Sequence, residues 1–179
     1  ELKKLDLTGI RFTSREGPKR KKQFVELLGQ LHRNENLEEL SIGALWGVNF
    51  TEEMLTNFLN KVKKSKIKKL NICSLRLSQV PNSLQILNIF LKNNYTIEEL
   101  DISNNQFDNQ KEFINKILDS VDSESELRKL IISSYSIANN LENILYLEEV
   151  IDFFPHIDFG YDKMSLQQMR KMIYDNMER

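Results

Sequence analysis

Cysteine is almost missing from this 179-residue chain: Cys73 is the only one, so no intrachain disulfide can form. That fits a reducing compartment or a secretion route that needs no disulfides. Histidine occurs twice, at His32 and His156, and no Cys or His cluster has the spacing of metal ligands. The six glycines are scattered among turns, not gathered into a phosphate-cradling loop. These shortages argue against a metal, a cofactor or a small-molecule substrate. No apolar run approaches the ~20 residues of a membrane span, and the sequence shows no signal-peptide pattern. The net charge of −1 gives no global field that would favour nucleic acid or an anionic membrane.

What is present is ordering of a different kind. The stretch Ile97, Glu98, Glu99, Leu100, Asp101, Ile102, then Asn105 and Phe107, alternates apolar and polar residues and stops in a turn. Copies of its apolar triplet begin at Leu2, Leu37, Ile67, Ile97 and Leu127, with a weaker one at Phe154; the spacings are 35, 30, 30, 30 and 27 residues. Periods of this length signal a solenoid. The first residue falls inside the first copy, so the chain reads as one domain spanning 1–179 and as a fragment of a longer protein.

Helical stripes fill the intervals. They run through Phe24, Leu27, Leu28 and Leu31; Met54, Leu55, Phe58, Leu59 and Val62; Leu84, Leu87, Phe90 and Leu91; and Phe113, Ile114, Ile117, Leu118 and Val121. A fifth traces Leu141, Ile144, Leu145 and Ile151, interrupted by Glu148, and a sixth starts at Ser165 and passes Met169, Met172 and Ile173. Thr51 is placed to cap the second helix, and Pro81 lies near the start of the third. Strand, turn and helix repeated in this way mean parallel strands joined by helical crossovers, each unit burying its apolar faces only by stacking on its neighbours.

The motif resembles that of leucine-rich-repeat proteins, specifically the ribonuclease-inhibitor-like class with a true helix in each unit. The resemblance implies an α/β right-handed horseshoe of about six repeats, with parallel strands on the concave face and helices on the convex face. It also implies a role in binding proteins. The family's turn asparagine is present only at Asn105; the matching positions hold Ile10, Leu45, Leu75, Tyr135 and Asp162. Repeats rich in Lys, Asn and Ile and poor in Gly and Cys look more like those of proteins that intracellular bacterial pathogens secrete into host cells than like vertebrate ribonuclease inhibitors. That likeness implies a cytoplasmic protein, or one delivered into a host cell as an effector, with a host protein as partner. The alternatives are a cytosolic scaffold, or the substrate-recognition domain of a larger enzyme.

In such an array the residues after the first apolar position alternate in sign: Lys3 and Lys4, Glu38 and Glu39, Lys68 and Lys69, Glu98 and Glu99, Arg128 and Lys129. They read as a register-setting ladder in which each cation lies between anions. The next exposed column holds Asp6, Ser41, Asn71, Asp101, Ile131 and Asp158. Ile131 is apolar where exposure is expected. With Tyr135 and Tyr161 in nearby turns and Asp101 and Asp158 beside it, it forms a candidate protein-binding hot spot. Trp46 is read first as a plug between the first two repeats, otherwise as a rim anchor. Cys73 and His156 lie three strand spacings apart, roughly 14 Å, too far for a nucleophile–base pair; the sequence therefore reads as non-enzymatic. Lys19, Arg20, Lys21 and Lys22 follow Gly17 and Pro18 in what reads as a loop, because cations at a helix start oppose its dipole. The run resembles a nuclear localisation signal or a phosphoinositide-binding patch. Without a longer basic surface and interleaved aromatics it argues against nucleic acid.

Overall fold

The computed structural model describes residues 2–12, 17–107, 110–121, 125–132, 140–154, 157–159 and 163–177. Among the described residues, five short strands alternate with helices. The strands are β1 (Lys4–Asp6), β2 (Glu39–Ser41), β3 (Lys69–Asn71), β4 (Glu99–Asp101) and β5 (Lys129–Ile131). The helices are α1 (Gly17–Gln30), α2 (Glu52–Lys63), α3 (Ser83–Lys92), α4 (Gln110–Leu118), α5 (Leu141–Phe153) and α6 (Lys163–Met177). The sheet is open, parallel and ordered β1-β2-β3-β4-β5, with Lys4, Glu39, Lys69, Glu99 and Lys129 in one rank and Leu5, Leu40, Leu70, Leu100 and Leu130 in the next.

The repeat explains why this stacks. Leu40, Leu70, Leu100 and Leu130 are buried, as are Ile42, Ile72, Ile102 and Ile132, and they meet buried helix residues such as Leu28, Leu55, Leu87, Ile117 and Leu147 in one core. Thr51 caps α2, its Oγ1 accepting from the Met54 N–H at 3.2 Å. At Gly9, Ala44, Ser74 and Asn104 the backbone turns left-handed at the same place after each of β1 to β4, with φ of 76°, 51°, 54° and 55°. Only the first is a glycine.

Asn105 ties two repeats together. Its Oδ1 accepts from the N–H groups of Leu75 (2.9 Å) and Leu77 (3.3 Å), and its Nδ2 donates to the carbonyls of Ile72 (3.0 Å) and Ile102 (2.9 Å). Four buried main-chain groups, which would otherwise be stranded by the turn, are satisfied by one side chain.

Several sequence expectations are corrected. The basic run is not a loop: Gly17 through Lys22 form the first turns of α1. Proline suits a first helical turn, where its missing N–H is not needed, and solvated cations oppose the dipole by only a few tenths of a kcal/mol each. Helix α6 begins at Lys163, before Ser165, and buries Leu166 while Met172 is exposed. In α5, Ile144, Leu147 and Val150 are buried and Leu145 is exposed. Glu148 breaks the apolar stripe because its Oε2 pairs with Arg170 of α6 at 2.8 Å.

The sixth copy is also out of register with its expectation. Asp158 forms an isolated parallel bridge with Lys129, not with Ile131: the Asp158 N–H donates to the Arg128 carbonyl (2.8 Å), and the Leu130 N–H donates to the Asp158 carbonyl (2.7 Å). Asp158 therefore belongs to the charged rank, two places from the column assigned to it by the apolar pattern. Ile157 and Phe159, both buried, flank it and disguise the shift.

Candidate functional site: the exposed face of the sheet

Side chains of a strand alternate between faces, so one face of this sheet is sealed by helices and the other carries two ranks. The outer rank is Lys4, Glu39, Lys69, Glu99, Lys129 and Asp158; the inner is Asp6, Ser41, Asn71, Asp101 and Ile131. Together, residues from all five strands line a shallow trough of 260 Å³.

The charges in the ladder settle into pairs. Lys3 meets Glu38 at 3.3 Å, Lys4 meets Glu39 at 3.1 Å, Lys68 meets Glu98 at 2.7 Å, Lys69 meets Glu99 at 2.8 Å and Lys129 meets Asp158 at 3.8 Å. Each cation thus closes on the anion of the following strand. Arg128 instead turns to Glu126 within its own segment, at 3.2 Å. The Lys68 and Lys69 ammonium groups are held above the usual lysine pKa, first by hydrogen bonds to Glu98 and Glu99 and then by their charge; Glu38 and Glu39 add smaller contributions. Solvated pairs of this sort add little to stability, and their main effect is on register.

The inner rank is mostly committed to its own turns. Oδ1 of Asp6, Asn71 and Asp101 accepts from the N–H two residues on: Thr8 (2.9 Å), Cys73 (2.9 Å) and Ser103 (3.0 Å). The Thr8 N–H, followed by the Thr8 hydroxyl, pulls the Asp6 pKa below its ordinary value. The Ser41 and Thr8 hydroxyls also hydrogen-bond to each other. This use of the column went unread in the sequence, although an Asp or Asn two residues before a turn position is a recognisable signal. Asp101 therefore presents one carboxylate oxygen beside its own turn contact. Ile131 sits at the end of the rank, half-buried, with no polar duty.

The other candidates disperse. Tyr135 and Tyr161 lie outside the described residues, as does His156. Trp46 does not plug the first junction: its indole is exposed on the rim, 5.6 Å from the Arg11 guanidinium, while Phe12, Leu45, Val48 and Phe50 fill the interior. Its backbone also joins the repeats, donating to the Ile10 carbonyl (2.9 Å) and accepting from the Phe12 N–H (2.8 Å). Lys19 and Lys22 are exposed at the start of α1 and Lys21 is half-buried, on an element separate from the trough. Cys73 packs over Gly43, where an added Cβ would lie 2.6 Å from its sulfur. Burial raises the Cys73 pKa and keeps it a thiol at neutral pH.

Among the described residues no group of three or more His, Cys, Asp or Glu could hold a metal ion, and no helix is long and apolar enough to cross a membrane. Among the described residues, what the face offers chemically is a fixed grid of hydrogen-bonding groups, a paired charge ladder with two further carboxylates at Asp6 and Asp101, and an apolar point at Ile131.

No family model and no curated protein matches the sequence. Among solved structures, the chain is similar to a tropomodulin C-terminal domain from Caenorhabditis elegans, with a TM-score of 0.56 and 14% identity over 87% of this chain and 94% of that one. The likeness is one of fold: parallel strands alternating with helices in a leucine-rich-repeat-type arrangement.

Proposed function

We propose that this chain is a leucine-rich-repeat module of the ribonuclease-inhibitor-like class whose exposed sheet face binds a protein partner and performs no catalysis itself. The observation that carries this reading is the grid. Five strands in exact register hold Asp6, Ser41, Asn71, Asp101 and Ile131 in one line, and turn hydrogen bonds fix three of these side chains. Preorganised side chains lose little entropy on association, which favours recognition over chemistry. The shallow trough suits a protein surface better than an enclosed small molecule, which prefers a deep apolar pocket. Ile131 is the anchor and Asp101 its polar neighbour.

The test compares Ile131→Asp with Ile89→Asp, a substitution at an exposed apolar residue on α3. Quantitative affinity purification should show at least one protein retained by the unmodified chain and by Ile89→Asp but lost with Ile131→Asp. Loss of an anchor worth about 2 kcal/mol weakens binding roughly 30-fold. Equal recovery by all three chains would refute the assignment.

A further inference from the structure

Side-chain bonds stitch the helix layer together, with one exception. Asn82, at the N-cap position of α3, donates to Glu52 of α2 (3.1 Å). Asn88 of α3 donates to the Lys116 carbonyl of α4 (2.7 Å) and to the Ser120 hydroxyl just beyond it (2.7 Å). The Tyr146 hydroxyl of α5 donates to Asn115 of α4, and Lys111 stands over the Tyr146 ring. Arg170 of α6 pairs with Glu148 of α5. Between α1 and α2, among the described residues, no side-chain hydrogen bond or ion pair is made. That junction is instead a groove of 470 Å³, walled by Val25, Leu28, Gly29, Phe50, Met54 and Phe58. Leu28, Phe50 and Phe58 are buried in its floor, and Val25 is 37% exposed at its mouth.

Gly29 is informative here. A glycine inside a helix weakens it, and nothing in the fold requires one at this place. Its backbone is not left-handed, and an added Cβ would meet no atom within 4 Å. Close packing against α2 therefore does not account for it. The effect of the missing side chain is to leave the groove open.

The rim carries a charge pattern. Glu53, Asn57 and Lys61 follow at four-residue intervals along α2, and all three line the groove. The carboxylate and the ammonium stand about 12 Å apart along the helix axis. Neither is paired with a described residue, whereas the charges of the sheet ladder are largely paired. Apolar walls with one free charge of each sign, two turns apart, are complementary to an amphipathic helix. Its apolar side chains at i, i+3 or i+4, and i+7 enter the furrow, while a cation meets Glu53 and an anion meets Lys61. A lipid surface or a nucleic acid would call for cations alone.

We propose that the α1–α2 groove docks a short amphipathic helix of a protein partner, one that carries a basic and an acidic residue about two turns apart. The site is separate from the trough on the sheet and does not rest on it.

A displayed library of random peptides of about 16 residues, long enough for an isolated helix, supplies the probe. Selection runs on the unmodified chain and on Ile131→Asp, so that binders of the trough are set aside. Peptides enriched on both should show the apolar helical spacing flanked by opposite charges. Made as free peptides and followed by fluorescence polarisation, they should bind Gly29→Leu and Val25→Glu at least about tenfold more weakly than the unmodified chain. Glu53→Lys should weaken them roughly fivefold at low salt. Gly29→Leu should melt no lower than the unmodified chain, because leucine favours the helix; if it does melt lower, Val25→Glu alone decides. Enriched peptides without this pattern, or affinities unmoved by the substitutions in the groove, would overturn the proposal. So would binding of anilinonaphthalene sulfonate that Gly29→Leu abolishes while no helical peptide is enriched, because that result assigns the groove to a small apolar anion.

Discussion

Asn105→Ala is the sharpest perturbation available inside the fold. It removes one side chain and strands four main-chain groups: the N–H groups of Leu75 and Leu77 and the carbonyls of Ile72 and Ile102. Asn105 is buried, so water does not replace these bonds freely. At about 1 kcal/mol per stranded group the loss is about 4 kcal/mol. The Leu77 bond is long, and partial relaxation lowers the figure to about 3 kcal/mol. With a denaturant slope of about 2.5 kcal/mol/M in urea, the unfolding midpoint should fall by about 1.2 M. A total stability of ~5–15 kcal/mol makes that a large fraction of the whole. Asn104→Ala is the matched control: Asn104 is exposed, and its replacement costs only the mild penalty of alanine at positive φ. The assay is equilibrium urea unfolding followed by circular dichroism. A shift for Asn105→Ala under about 0.3 M, or one equal to that of Asn104→Ala, would refute the view that this side chain rivets the third and fourth repeats.

Three further outcomes follow from the same geometry. Ala44→Gly and Ser74→Gly each relieve a left-handed residue and should raise stability by about 0.5–1 kcal/mol; Gly43→Ala, whose Cβ meets the Cys73 sulfur and the Asn71 Oδ1, should lower it by about 1–3 kcal/mol. Thermal melts in which all three changed in the same direction would contradict this. Reversing Glu98 and Glu99 to lysine sets like charges against Lys68, Lys69, Arg128 and Lys129. It should cost about 1–3 kcal/mol at low salt and much less at 1 M NaCl, where the screening length is about 3 Å; a salt-independent loss would point to packing instead. Cys73, half-buried with its pKa raised by that burial, should alkylate with iodoacetamide at pH 8 at least roughly tenfold more slowly than in urea. Equal rates would show the thiol to be freely accessible.

The periodic sequence made the architecture legible because burial in a stack depends on the same few positions in every unit. Leu40, Leu70, Leu100 and Leu130 answer directly to the apolar triplet, and the strand register follows the alternating lysines and glutamates. The pattern failed where a residue's neighbour lies in another unit. Leu27 fits an apolar stripe and is exposed, because it lies on the side of α1 away from α2, the neighbouring described helix. Glu148 breaks a stripe and is satisfied by Arg170, 22 residues away. Asp158 sits between two buried apolar residues, so the apolar pattern placed it in the inner column, whereas the backbone bonds put it two residues away, in the charged rank. Of the candidate binding residues, Ile131 and Asp101 share one rank on the trough, Trp46 lies apart on the rim, and Asp158 joins the charged ladder. Short-range preference likewise put the basic run in a loop, when Pro18 at the first turn was the stronger signal for α1.

The central claim, that the exposed sheet face is the binding surface, is tested most directly by site-specific photocrosslinking. A benzophenone amino acid placed at Ile131 or Ser41 on the trough should form a discrete adduct with the same protein, and that adduct should vanish when Asp101→Lys is introduced beside it. The same probe at Ile89 or Leu145, exposed on the helical side, should not form it. An adduct of that protein from Ile89 or Leu145 and none from the trough would contradict the claim and move the binding surface to the helices.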